Sequence, residues 1–240
     1  MQARGILAAF ILLSVLSTHA QTKTYPQSES QSPSQDAARR NDELRSARDA
    51  TDEFLKALKM ADLPEGRQSL IETEWITGEA DYGENFYVRP RFTEATTVFE
   101  TLFDTDVPGV QGYKRLLDMK AVSEAGTPIL TRYFMIAYKD RRTSKWKVLE
   151  TDNKAEDIDG NIAYFAQTLH QTMLRSEQHN YLTYGHWLLL AGRTKEAREA
   201  LTTALTASPA VDPTLGMQTV ELDKIQINAL LAVIDRITAP

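Results

Sequence analysis

The stretch "GHWLLLAGRTKEAREAL", Gly185 to Leu201, decides how the C-terminal half of this chain folds. Its apolar centre invites a membrane reading, its two glycines a phosphate loop, and its charged second half a helix turn. A phosphate loop needs Gly-x4-Gly-Lys-Ser/Thr, or clustered glycines between a strand and a helix. Gly185 and Gly192 instead stand seven residues apart within helical periodicity, and no lysine in the stretch precedes a hydroxyl residue. A membrane span takes about 20 apolar residues. Here "WLLLA" runs at once into Arg193, Lys195 and Glu196. Two short helices joined by a turn remain.

The wider segment "NYLTYGHWLLLAGRTKEAREALTTALTASP", Asn180 to Pro209, fits that hairpin position by position. Gly185 and Ala197 are small where two antiparallel helices would approach most closely. Tyr181, Tyr184, Leu188, Leu201 and Ala204 supply the space-filling side chains. Gly192 accepts the left-handed backbone that stops a helix, Thr194 is placed to cap the next one, and Pro209 closes the segment. In these spacings the segment resembles a tetratricopeptide repeat. A shift by the family's period of about 34 residues finds almost no further signature residues apart from Ala163. The resemblance implies flanking helices near 160–175 and 217–237 as degenerate neighbours or caps, because one repeat cannot bury both faces. It also implies a protein partner held on a concave helical side. The side chains nearest that side would be His179, Leu182, His186 and Leu189. In so short an array the same four can instead face the flanking helices or the preceding domain.

That preceding domain reads as α+β. From Ala37, residues Leu44, Ala47, Thr51, Phe54, Leu55, Leu58 and Ala61 recur at helical steps, until "LPEG" (63–66) ends the pattern. Residues 67–104, with Trp75, "NFYV" and "ATTVFETLF", fit neither period. Three strand-like runs follow: Tyr113 to Val122, Ile129 to Tyr138, and Lys145 to Glu150. Leu116 interrupts the alternation of the first, and the second is apolar on both faces, as in a central strand. The short links "EAGTP" and "KDRRTS" predict an antiparallel meander. In layout, residues 38–152 resemble cystatin-like or NTF2-like α+β domains. No diagnostic residue carries over from that resemblance. The predicted fold is therefore α+β: an N-terminal helix and an antiparallel β-meander (38–152), then an all-α tetratricopeptide-like helical module (153–240). In the module, "IAYFAQTLHQTML" (162–174) and a last helix near 217–237, with Leu222, Ile225, Leu230, Leu231 and Ile234, complete the helical pattern.

The first twenty residues are of another kind. One arginine, the apolar run "GILAAFILLSVLS" (5–17) and the small residues of "THA" before Gln21 have the layout of a secretory signal peptide. "QTKTYPQSESQSPSQD" (21–36) is too polar to offset its ordering entropy and reads, to residue 37, as a disordered linker. The chain has no cysteine, hence neither a lipid-attachment cysteine nor disulfides. Export without disulfides suits a bacterial periplasm or exterior. The sequence therefore predicts an exported protein with no transmembrane segment once the signal is removed. A net charge of -6 argues against a general nucleic-acid binder, which needs a basic face.

Little in the chain points to catalysis. His179 and His186 are about 10 Å apart along a helix, too far to share one metal. "DIDGN" (157–161) and "DTD" (104–106) lack the rest of a calcium loop. There is no Gly-x-Ser-x-Gly and no cysteine nucleophile. No catalytic residue, cofactor or metal is expected. The basic run "KDRRTSKWK" (139–147) reads as a solvated hairpin tip or as a contact for an anionic ligand. The sequence thus predicts an exported, non-enzymatic protein acting on an unidentified protein partner through its helical module. The alternative is an enzyme or small-molecule binder with a pocket in the α+β domain.

Overall fold

The structure, a computed structural model, describes residues 33–60, 91–122, 126–152, 157–211 and 220–240. The signal-like segment, most of the linker and Trp75 lie outside the described residues. The fold is α+β. Helix α1 (Pro33–Met60) precedes strands β1 (Arg91–Asp104), β2 (Gln111–Val122), β3 (Pro128–Asp140) and β4 (Lys145–Asp152). Helices α2 (Ile158–Thr168), α3 (Glu177–Leu190), α4 (Thr194–Ala204) and α5 (Val220–Thr238) follow.

The four strands form one antiparallel meander in the order β1-β2-β3-β4. Its first strand falls within the stretch that fits neither period in the sequence. Register shifts at Phe92/Glu94 and Thr97/Phe99 break the two-residue alternation there. In β2, alternate side chains meet different layers. Tyr113, Leu117, Met119 and Ala121 join the clusters that include α1 residues, whereas Leu116 joins the cluster that includes the C-terminal helices. Leu116 therefore does not interrupt the pattern: the strand is buried on both faces around it, while Lys120 and Val122 further along are exposed. Strand β3 has the same character, with Phe134 to Tyr138 all buried.

One hydrophobic cluster holds Leu116, Phe134, Ile136, Tyr138 and Leu149 of the sheet together with Leu182, Leu188, Leu189, Leu201, Leu230 and Ile234 of the helices. The line drawn at residue 152 thus runs through a shared core. Α1 begins at Pro33, four residues before the expected Ala37, so its start overlaps the expected linker. Proline is well tolerated at a first helical position, and residues 35–42 are all exposed.

Helix α2 ends at Thr168, well short of the expected Leu174. The Asn180 side-chain amide donates to the carbonyls of Thr168, Leu169 and Gln171 at 3.2, 3.2 and 2.9 Å. These bonds satisfy carbonyls that a continuing helix would have used. Ser176 then caps α3, its hydroxyl accepting from His179 N at 2.9 Å. In α5, Ile227, Leu230, Val233, Ile234 and Ile237 are buried, but Ile225, expected on the apolar face, is exposed.

Candidate functional site

The α3–α4 hairpin is built as its spacing requires. A Cβ placed on Gly185 would sit 2.7 Å from Leu201 Cγ and 3.3 Å from the Ala197 carbonyl oxygen, so only glycine allows this approach. Ala197, Leu188, Leu201 and Ala204 are fully buried, while Tyr181 and Tyr184 pack half-buried against the core. Gly192 has φ +79°, and Gly192 N and Arg193 N donate to Leu189 O and Leu188 O. That pair of bonds closes α3 in a Schellman motif. Pro209 lies exposed in the segment after α4.

The cap on α4 comes from elsewhere. Thr194 is buried as the first residue of the helix, and no side chain of the hairpin caps its N-terminus. Instead the Asp106 carboxylate, from the β1–β2 loop, accepts from Lys195 N at 3.0 and 3.2 Å. Asp106 N in turn donates to Gly192 O at 3.1 Å. An aspartate at a helix N-terminus also meets the positive end of the helix dipole. Nearby, the Tyr138 hydroxyl donates to Leu189 O, and Phe103 packs edge-on against Tyr138 while lying close to Gly192. Sheet and hairpin are thus joined by hydrogen bonds as well as by the shared core.

This junction corrects the placement of two expected partner-facing residues. Leu182 and Leu189 are 1% and 0% exposed within the core shared with the sheet, so they cannot meet a partner without unfolding. His179 and His186 are half-buried. The Asp223 carboxylate on α5 accepts from His179 Nδ1 at 2.9 Å, which ties α3 to α5. The His186 ring lies tilted beside Trp187. The spacing of these four residues followed the hairpin correctly, but it could not show that the sheet and α5 cover this side.

The open surface of the helical module is elsewhere. Tyr164 on α2, and Met173 and Leu174 in the α2–α3 connection, are 60%, 65% and 72% exposed. Terminal repeats of helical arrays normally carry a polar outer face. Beside them, the Glu177 carboxylate meets His170 Nδ1 at 2.6 Å, and that hydrogen bond and the Ser208 amide hold it below the usual carboxylate range. The start of helix α2, at its Asp157 cap, closes one side of a surface cleft of about 390 Å³. Phe99, Leu116 and Phe134 of the sheet line it, with Lys114 and Arg132.

Under α1 lies a second polar assembly that sequence reasoning missed. Arg115 is 7% exposed yet charged; it donates to Asp52 at 2.6 Å, to Thr51 at 3.0 Å and twice to Thr97. One step along, Glu100 accepts from Tyr113 at 2.6 Å and from Arg48 through Nε and Nη2. Burial pushes the Glu100 carboxyl up, but Arg48, Tyr113 and Arg115 together hold it below its ordinary range. Burial and Glu100 push the Tyr113 hydroxyl well up. Arg48 on Glu100 and Arg115 on Thr51 and Asp52 tie α1 to the sheet, while Tyr113 on Glu100 and Arg115 on Thr97 tie β2 to β1. Among the described residues no group of three or more histidines, cysteines or carboxylates gathers to hold a metal, and no helix is long and apolar enough to cross a membrane.

Fold and site together define an α+β protein whose meander carries a tightly joined helical hairpin. No family model matches the chain, and no curated protein matches it.

Proposed function

We propose that this is an exported, non-enzymatic protein that holds a protein partner on its helical module, a module of tetratricopeptide-like construction. The observation that carries the reading is the exposure of Tyr164, Met173 and Leu174 on α2 and its exit. Large apolar side chains left exposed are a mark of interaction surfaces where they adjoin one another. The close Gly185–Leu201 packing and the Gly192 turn support the repeat-like construction. The partner surface therefore lies on the α2 side and not on the Leu182/Leu189 side.

The rival reading, a pocket inside the α+β domain, draws less support. Tyr113, Leu117, Met135, Ile136, Tyr138 and Leu149 fill both faces of the sheet centre, each fully buried. Their packing leaves the cavities described here at the surface.

Cross-linking in envelope extract, comparing the native chain with a Met173→Glu/Leu174→Glu variant, tests the proposal. A specific partner recovered by the native chain and lost by the folded variant is the expected result. Equal recovery by both, or none by either, overturns it. The export element is tested separately: the N-terminus of protein recovered outside the cytoplasm should begin at Gln21.

A further inference from the structure

A groove of about 710 Å³ lies where the N-terminal half of α1, the β1–β2 loop, the β3–β4 hairpin and the end of α5 come together. We propose that it binds an acidic peptide segment of another protein, through Arg39 and Arg141. The groove uses elements other than the exposed α2 surface, so the inference stands whether or not that surface holds a partner.

The lining has three side-chain cations, Arg39, Lys139 and Arg141, and two side-chain carboxylates, Glu43 and Asp104, with Pro240 beside them. Both carboxylates are already engaged. Glu43 accepts from Lys139 Nζ at 2.6 Å and from Trp146 Nε1 at 3.1 Å, and Asp104 accepts from the Gln111 amide at 2.9 Å. Burial pushes the Glu43 carboxyl up, but Lys139, Trp146 and the charge of Arg39 bring it below its ordinary range, so it stays ionised. Lys139 is thereby neutralised within the groove. Among the described residues the guanidiniums of Arg39 and Arg141 make no ion pair and no side-chain hydrogen bond. Two uncommitted guanidiniums thus face one groove on a protein of net charge -6.

Their chemistry selects the ligand. Planar guanidinium forks match carboxylates in paired hydrogen bonds. The two arginines come from different elements, α1 and the hairpin, so a ligand serving both has more than one anionic group. Between the charges, Val110 and Trp146 lie at the floor of the groove, each only 4% exposed, so a ligand meets chiefly the charged side chains. The hairpin is also held in place for this task. Arg141 N donates to Arg236 O at 3.1 Å, fastening the tip to the last turn of α5. Ser144 stands in the left-handed region at φ 57° and turns the chain back into the groove lining.

Fluorescence anisotropy on the full chain tests the proposal, with three probes: a labelled peptide alternating glutamate and leucine, a matched lysine–leucine peptide, and free glutarate as competitor. The acidic peptide should bind, more weakly as salt rises, and the lysine peptide should not. Arg39→Gln/Arg141→Gln should weaken binding about tenfold or more, as the loss of two charged hydrogen-bonding groups implies. Both arginines are exposed, so the melting temperature should hold, and single variants should each lose part of the affinity. The proposal is overturned if the acidic peptide fails to bind, if only glutarate binds, if both peptides bind alike, or if the double variant keeps native affinity.

Discussion

Gly185 shows how much one residue can say in advance. Its place three residues before Leu188 and twelve before Ala197 implied a close helix approach, and the 2.7 Å from a would-be Cβ to Leu201 Cγ is that approach. Gly185→Val should therefore destabilise the protein by roughly 2 kcal/mol or more, because overpacking typically costs about 1–3 kcal/mol and valine adds crowding in a helix. Thermal and urea melts would measure it; a variant as stable as the native chain would mean that Leu201 yields without cost. Asp106 shows the opposite case. It lies in an acidic triplet that resembles a fragment of a calcium loop, yet its carboxylate caps a helix that begins at Thr194. No local spacing reports such a pairing, since the two partners meet only after the sheet and the hairpin have docked.

At the scale of elements, the sequence was readable wherever one period ran undisturbed. Strands β2 to β4 and helices α3 to α5 fall close to where alternation or helical steps put them. Strand β1 was hidden because two register shifts scramble its alternation. The exit of α2 was hidden because the side chain that takes up its last carbonyls, Asn180, belongs to the next helix. Α1 is held both by apolar side chains such as Ala47, Phe54 and Leu55 and by polar bonds across to the sheet: Arg48 on Glu100, Arg115 on Asp52, Lys139 and Trp146 on Glu43. Glu43 and Glu100 both have carboxyl pKa values lowered in the folded protein. A lowered folded value means stability that is present above the unfolded carboxyl range and is lost as pH falls through the folded value. Melting temperature should accordingly drop on acidification below about pH 4.5, the ordinary glutamate range. Glu100→Gln should flatten part of that drop and be less stable than the native chain at neutral pH. Parallel pH profiles for the two proteins would contradict this account.

For the whole molecule, the decisive fact is that the sheet has no free central face. Α1 covers one side and the C-terminal helices the other, through a core that runs unbroken from Leu116 and Ile136 to Leu230 and Ile234. A fragment of residues 153–240 would lose Leu116, Phe134, Ile136, Tyr138 and Leu149, the sheet's share of the common core. Produced alone, it should lack the sharp thermal transition of the full chain and bind a hydrophobic dye; a cooperative melt and a dispersed amide spectrum would show that the helices need no sheet. The same fact explains why the concave-side residues were misplaced from sequence. Repeat spacing describes how two helices meet each other, whereas the cover over their flank comes from a part of the chain with a different period.

The bond from Lys195 N to Asp106 gives this architecture a built-in gauge. The Lys195 amide has no acceptor within its own hairpin, so its protection against solvent exchange depends on the loop between β1 and β2 being seated. Neighbouring amides deeper in α4 are protected by the helix itself. Comparing the two exchange rates separates loosening of the helix from loosening of the joint, and one spectrum can therefore follow the docking of two layers through a single proton.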